Sequence, residues 1–379
     1  MHIQRNVFRE DHEMFRTTAR RFFERECVPR QAAWDAVGQV DRETWLKAGR
    51  EGLLGITLPV EYGGGGGDFG HSAVFNEEFA RAGVSGAYFS MHSDVIAPYI
   101  ARCGNEEQKQ RWLPGACSGE IILAIAMTEP GTGSDLKAVR TTAVRDGDDY
   151  VINGSKTFIS NGLTADLVIV VCKTDPDAGA RGISLIAVEA TRAGFQRGRK
   201  LAKVGQAAAD TAELFFDNLR VPVGNRLGEE GQGFAYLMGE LPQERFTIAV
   251  SAAARLEVCL EQTLDYVKSR KAFNQTVWDF QNTKFKLADI KAQAVAARLM
   301  VDHYLAEHMR RRLTLEEAAI AKLFTTETLW KCLDDMVQLH GGYGYMLEYP
   351  IARAFVDMRV NRIYGGTSEV MRELIARKL

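Results

Sequence analysis

From Gln243 to His340 the chain contains neither glycine nor proline, the two residues least compatible with a helix interior. Apolar residues recur in this stretch at spacings of three and four, as in Phe285, Ala288, Ala292 and Val295, which is the period of one helix face. Long helices with no strands between them must bury their apolar stripes on one another, so the spacing predicts a helical bundle. At 379 residues the chain is too long for one ordinary core, and two or three domains are expected.

The rest of the chain changes character twice. Residues 1–120 read mainly as helices, with Phe15, Ala19, Phe22 and Phe23 at helical spacing and Asp41 placed as an N-cap ahead of Trp45 and Leu46. Across 121–230 the period shortens to two. Thr141–Arg145 and Tyr150–Ile152 flank an Asp-Gly-Asp-Asp turn at 146–149, and Asn153-Gly154 reads as the start of a second hairpin turn. The runs DLVIVVCK, GISLIAVE and AELFFDNLRV are further short strands. The expected outline is α+β and mainly helical: an N-terminal helical domain, a small antiparallel sheet or barrel at 121–230, and a helical bundle over 231–379.

Composition narrows the function. A formal net charge of -2 with 25% charged residues argues against nucleic acid as a partner, and no apolar run approaches the roughly 20 residues of a membrane span. The N-terminus has neither the apolar core of a signal peptide nor the acid-poor composition of a transit peptide. Six scattered cysteines without a CxxC fit a reduced compartment, and a cytoplasmic location is expected. No histidine pair has metal-site spacing; His303 and His308 are about 140° apart on a helix. Gly65–Gly70 matches GxGxxG, but Pro59 interrupts the preceding apolar run and no parallel strand series follows. The pattern is read as a flexible glycine loop.

Two pairs of segments rise above this background. Residues 126–135 read AMTEPGTGSD and 156–162 read KTFISNG; residues 338–345 read QLHGGYGY and 362–369 read RIYGGTSE. Glycines set between hydroxyl residues let backbone N–H groups approach an anion or a polar ring edge. Taken singly, such stretches are ordinary turns, and His340 alone is an ordinary packed or capping histidine.

Together with SRKAF at 269–273, and in this order and spacing, the segments resemble the acyl-CoA dehydrogenase family from Glu10 to the C-terminus. The resemblance implies the same helix–β–helix fold, ending in a four-helix bundle, with FAD as cofactor and an acyl-CoA as substrate. Thr128 and Ser160, with their neighbours Ala126, Met127 and Ile159, would hold the flavin ring, and Phe158 would pack beside it where many members have tryptophan. Ser134 would lie along the acyl-CoA path. Arg270, Phe273, Gln281, Gln338, Gly341 and Gly342 would hold the adenine and pyrophosphate end of a neighbouring subunit's FAD, while Thr367 and Glu369 would contact the cofactor of their own. Sharing of this kind implies a homo-oligomer, usually a tetramer in the family.

Dehydrogenation of a thioester needs a carboxylate to remove the α-proton. Many members carry a glutamate directly after the tyrosine of the IYxGT segment, but here Gly365 follows Tyr364. The segment GELPQERF at 239–246 resembles the long-chain and isovaleryl branches, where a glutamate just before an arginine supplies the base. That makes Glu244 the base, with Glu240 as the alternative, and Arg245 a neighbouring structural or substrate-site cation. Pro242 reads as the first position of a helix, which puts Glu244 in the first turn. Gly365 keeps a backbone N–H for the thioester carbonyl, and Tyr364 would line the substrate site. The expected activity is that of a long-chain-type dehydrogenase yielding trans-2-enoyl-CoA and passing electrons to an electron-transfer flavoprotein. A branched-chain dehydrogenase, a catalytically silent scaffold and an oxygen-using oxidase are the rival readings.

Overall fold

A computed structural model describes residues 5–379. Six helices come first: α1 (Glu10–Phe22), α2 (Gln31–Val37), α3 (Arg42–Arg50), α4 (Phe69–Arg81), α5 (Ala97–Cys103) and α6 (Glu106–Ser118). Ala19, Phe22 and Phe23 are buried in one cluster with Trp45, Phe75 and Phe89. Asp41 caps α3 by accepting from the Thr44 N–H, the role its sequence position implies. The glycine run is not the flexible loop expected. The amides of Gly64, Gly65, Gly66 and Gly67 donate to the carbonyls of Pro59, Gly55, Leu58 and Ile56, and a Cβ on Gly64 would lie 2.3 Å from the Leu58 oxygen. Only a backbone without side chains packs that closely.

The middle of the chain forms eight strands: β1 (Leu123–Ala126), β2 (Thr142–Asp146), β3 (Asp149–Ile159), β4 (Leu167–Lys173), β5 (Ile183–Glu189), β6 (Phe195–Lys200), β7 (Ala212–Pro222) and β8 (Arg226–Leu227). They lie in the order β6-β7-β3-β2-β4-β5-β8, with β1 beside β4. Most pairs are antiparallel as expected, but β1 and β2 run parallel to β4. β4 is an unbroken apolar run because both of its faces are covered. Leu167, Ile169 and Val171 pack with Tyr99, Ile100, Trp112 and Leu113 of the N-terminal helices, while Val168, Val170 and Cys172 pack with Tyr150, Ile152 and Leu214. Asn153-Gly154 makes no hairpin turn. β3 continues through it with a register shift between Ile152 and Gly154, and the Asn153 side chain accepts from the Asn218 N–H at 2.8 Å. A pair that marks turns elsewhere serves here as a bulge.

The C-terminal part is α7 (Gly233–Ser269), a hairpin of β9 (Lys271–Ala272) and β10 (Gln275–Thr276), then α8 (Gln281–Met309), α9 (Leu315–His340), α10 (Pro350–Met358) and α11 (Ser368–Ala376). Phe246, Val250, Leu256, Ile290, Val301 and Leu333 sit in its core, and α10 and α11 complete the bundle against α9. Two expectations are corrected. The glycine-free, proline-free stretch does contain strands, since Phe273 and Asn274 take φ of 51° and 63° at the hairpin turn without glycine. The stripe Phe285, Ala288, Ala292 and Val295 does not face the core: the first three are exposed and Val295 only half-buried. Leu287, Ile290, Ala294, Ala297, Val301 and Leu305 form the buried face instead. α8 is apolar on two faces, and the period by itself could not tell which one turns inward.

Candidate active site

Glu244 lies well inside α7, and Pro242 is within the helix, not at its first position. The dipole of a first turn therefore plays no part at Glu244. Its surroundings decide its chemistry instead. Oε2 is buried with no hydrogen-bond partner. Burial raises the carboxyl above its ordinary value, with Arg245 and Lys322 pulling the other way. Arg245 is buried; its Nε donates to the Gly365 carbonyl at 3.1 Å, and its Nη1 also lacks a partner. Lys322 of α9 is 1% exposed and donates to the Gly366 carbonyl at 2.5 Å. Burial pushes it down to about 8, the Arg245 charge adding to this and Glu244 opposing it.

The alternative carboxylate is otherwise engaged. Both oxygens of Glu240 accept from Arg102 Nη1 at 2.8 Å. One turn further along the same helix contact, Tyr99 of α5 is fully buried with its hydroxyl unpartnered. Burial holds that phenol far above its usual range, and Glu244 and Glu240 add to the effect. Unpaired buried polar atoms are rare in folded chains. Tyr99, Glu244 and Arg245 supply three of them at electrostatically coupled positions, as a site that takes up a polar group does.

The two segments assigned to the flavin are bolted together by a residue the sequence reading left without a role. Lys156 Nζ donates to the carbonyls of Met127 and Val171 at 3.0 and 2.6 Å and to Glu129 Oε1 at 2.9 Å. The carboxylate of Glu129 in turn accepts from the Arg140 and Thr141 amides. Thr157 N donates to Thr128 O at 2.9 Å, so Thr128 and Ser160 sit on adjoining backbone. Ala126 and Ile159 are buried, while Met127, Thr128 and Ser160 are half-buried. Phe158 is 67% exposed with φ of 59°, a conformation that costs energy outside glycine and collects at functional sites. Ser134 is exposed, just after Gly131 and Gly133, whose Cβ positions meet open space.

This surface meets the C-terminal loop through two further residues. Tyr88 donates to Gln206 Oε1 at 2.5 Å and is within hydrogen-bond reach of Ser160. Gln206 also contacts Tyr364, whose phenol is pushed up by burial, then by Tyr88 and, more weakly, by Glu244. Tyr364 donates to Asn361 Oδ1 at 2.6 Å. Thr367 caps α11 by accepting from the Val370 N–H, and Glu369 is exposed beside Arg372.

The remaining predicted cofactor residues gather elsewhere. Arg270, Gln338, Gly341 and Gly342 line a cavity of about 450 Å³ with Tyr266 and Tyr343, and the Arg270 guanidinium stands 5.4 Å from the centre of the Tyr343 ring. Phe273 is 91% exposed and Gln281 is exposed. None of these residues shares a hydrogen bond with the Glu244 cluster. The donor sets fit the two ends of a flavin dinucleotide: an exposed aromatic with hydroxyl groups for the ring, and a cation with open glycines for the pyrophosphate.

The fold also brings Asp11, His12 and His71 within 4.8 Å of one another, which their spacing did not show. His12 Nδ1 accepts from the Arg9 N–H and its Nε2 faces Asp68 at 2.8 Å; His71 Nδ1 accepts from the Asp68 N–H. Each acceptor nitrogen already closes a capping box, leaving neither neutral imidazole a lone pair for a cation.

A helical, a β and a second helical layer around a buried, unpartnered carboxylate define a class. Models of the acyl-CoA dehydrogenase N-terminal, middle and C-terminal domains match residues 9–120, 124–219 and 231–379. The chain belongs to the acyl-CoA dehydrogenase family, FAD-binding oxidoreductases that act on CH–CH bonds. It is 50% identical over 377 residues to the mitochondrial long-chain specific acyl-CoA dehydrogenase of Sus scrofa, covering 99% of this chain and 88% of that one. A solved acyl-CoA dehydrogenase from Geobacillus kaustophilus shares 48% identity at a TM-score of 0.97, with 99% of each chain covered. Another from Bacillus anthracis, complexed with FAD, shares 33% identity at a TM-score of 0.92, over 98% of this chain and 67% of that one.

Proposed function

We propose that the protein dehydrogenates a long-chain fatty acyl-CoA to the trans-2-enoyl-CoA, with Glu244 as the base. The observation that carries this reading is a buried carboxylate with raised basicity and one unpartnered oxygen, set opposite a glycine that cannot take a proton. The thioester carbonyl acidifies the α-carbon; Glu244 removes that proton, and the Gly365 N–H donates to the carbonyl oxygen as negative charge develops there. The Arg245 charge offsets part of the cost of burying the carboxylate, which burial still raises. Bound FAD supplies the acceptor for the β-hydride. Thr128, Ser160 and Phe158 orient the ring, while Ser134 and Tyr364 line the acyl-CoA path.

The similarity to the Sus scrofa protein and the GELPQERF segment support the long-chain assignment. We take an electron-transfer flavoprotein as the acceptor and a tetramer as the assembly, with Arg270, Phe273, Gln281, Gln338, Gly341 and Gly342 serving a neighbour's FAD and Thr367 and Glu369 serving their own. The outward apolar stripe of α8, extended by the exposed Leu299, supports association of copies. No helix among the described residues is long and apolar enough to cross a membrane; with six free cysteines a reduced, cytoplasmic setting fits.

Glu244→Gln keeps the shape and removes the proton acceptor. Turnover should fall by about 10²–10⁴ with FAD retained, and full activity in that variant refutes the reading. Rates on straight and branched acyl-CoAs from short to long separate the long-chain from the branched-chain assignment.

A further inference from the structure

α9 grips the segment from Arg362 to Ser368 at three places. Glu327 Oε1 accepts from Arg362 Nε at 2.8 Å and from Ser368 Oγ at 2.6 Å, one at each end of the segment. Between them Lys322 Nζ reaches the Gly366 carbonyl at 2.5 Å, and Arg245 of α7 holds the Gly365 carbonyl. Gly365 and Gly366 take φ of 63° and 94°. Two successive glycines in that region have the most conformational freedom a backbone offers. An N–H on Gly365 acquires a fixed direction only from bonds made by other elements.

Lys322 is an expensive way to supply one of those bonds. Its ammonium is almost fully buried, which is unfavourable unless the charge is paired. Among the described residues no carboxylate forms a salt bridge with it; its hydrogen-bond acceptor is the neutral Gly366 carbonyl. Glu327, one turn on, is spent on Arg362 and Ser368. The lysine stem passes the reacting corner, because Lys322 Cε lies 3.5 Å from the Cβ position of Gly365. The charges that face it are Glu244 and Arg245 from α7 and Glu327 from its own helix.

We propose that Lys322 is a positioning residue for the reaction: through the Gly366 carbonyl it holds the two glycines against Glu244, so that base and N–H donor address one substrate at once. The inference rests on Glu244 as the base and the Gly365 N–H as the donor to the thioester. A loop free to turn at 365–366 would let carbonyl and α-proton drift out of register with the groups that act on them, and a misplacement of about 1 Å costs about 10²-fold.

The test uses the holoenzyme and a 3-thia-acyl-CoA, whose β-carbon is replaced by sulfur. This ligand can give its α-proton to the base but has no β-hydride to lose, so proton release on binding reads the first step alone. Lys322→Met should keep FAD and bind the ligand, yet deprotonate it and turn over substrate about 10- to 100-fold less well, with KM little changed. Lys322→Arg should regain most of both. Deprotonation and turnover at the wild-type level in Lys322→Met overturn the proposal. So does a loss that follows falling FAD content and Tm and that arginine does not repair. Hydrogen exchange of the wild-type and Lys322→Met holoenzymes gives a second reading. Faster exchange in the variant of the Tyr364 amide, which donates to the Val360 carbonyl at the head of the glycine pair, supports it, and equal exchange overturns it. Glu244→Gln separates the two levels: if it still deprotonates the ligand, the base assignment fails. If it does not while Lys322→Met does, only the role of Lys322 is wrong.

Discussion

A Cβ placed on Gly365 would stand 3.5 Å from Oε1 of Glu244. A helix residue and a loop residue far apart in sequence thus address the same point, and a carboxylate offered from either would reach adjoining space. The same Cβ would lie 2.7 Å from Ile248 Cδ1, and φ at Gly365 lies in the region that favours glycine. This chain has a glutamate on the helix and no room prepared for one on the loop.

Moving the base should therefore work only in part. Glu244→Gly with Gly365→Glu restores a carboxylate and is expected to recover a fraction of the activity lost in Glu244→Gln. Adding Ile248→Val, which removes the crowding methyl, should recover more. The kcat of the three variants on one acyl-CoA checks the order; no gain from the Ile248 change would show that crowding is not the obstacle.

As the proposed base, Glu244 trades stability for reactivity. Its carboxyl is raised in the folded protein by burial, so the fold favours the protonated form, and its stability contribution falls as pH rises from about 4.5 through the folded value. Glu244→Gln should accordingly have a higher Tm than the wild type near neutral pH, the difference vanishing below about pH 4. Turnover has the opposite slope, rising with pH as the carboxylate forms. Thermal scans and kcat profiles over the same pH range test both signs.

The N-terminal segment is tied to the bundle by a buried charge cluster. Arg298 of α8 donates to Glu77 of α4 at 2.7 Å and to Glu257 of α7 at 2.6 Å, and Arg5 joins Glu77 to Asp302. Burial pushes Glu77 up, but Arg298 and Arg5 outweigh it and bring it down to about 2. The stabilisation is present above about pH 4.5 and is lost as pH falls towards 2. Arg298→Ala should cost about 3–5 kcal/mol by leaving the carboxylates unpaired, read from the denaturant midpoint. Glu77→Gln should flatten the acid limb of the stability curve.

Lys156→Met should loosen the flavin segments and lower Tm, because Glu129 is then buried without its cation. Glu129→Gln combined with Lys156→Met removes the stranded charge and should be more stable than Lys156→Met alone. FAD content after dialysis provides the readout at the site; retention at the wild-type level in Lys156→Met would separate the bolt from cofactor binding.

Phe285→Glu on the exposed stripe of α8 should leave the fold of the subunit intact, since Phe285 is 61% exposed, but break association between copies. Light scattering should show a smaller species, and FAD should be held less tightly if Arg270 and Gln338 serve a neighbour. Arg270→Ala should weaken FAD binding by about 1.5–3 kcal/mol, the worth of a charged hydrogen bond. A small species that keeps its FAD would argue against a shared site.

The sequence alone determined the architecture and the motif order, and it singled out the pair Glu244–Arg245 proposed for the site, because these depend on local patterns. Alternation marks a strand, the absence of glycine and proline lets helices run long, and five short motifs carry a family resemblance without reference to folding. It did not decide what is buried. Lys322 and Lys156 look like any surface lysine in a row of letters, and only packing from α7 and β4 makes them interior cations with chosen acceptors. Phe285, Ala288 and Ala292 keep helical period and face outward, because α8 carries two apolar faces and neighbouring helices select the inner one. Pro242 reads as a helix start yet lies inside α7, where tertiary contacts carry the helix through it. Glu240 and Glu244, equivalent in type and one turn apart, are separated only by Arg102, which reaches the first from α5 and leaves the second unpaired beside Gly365.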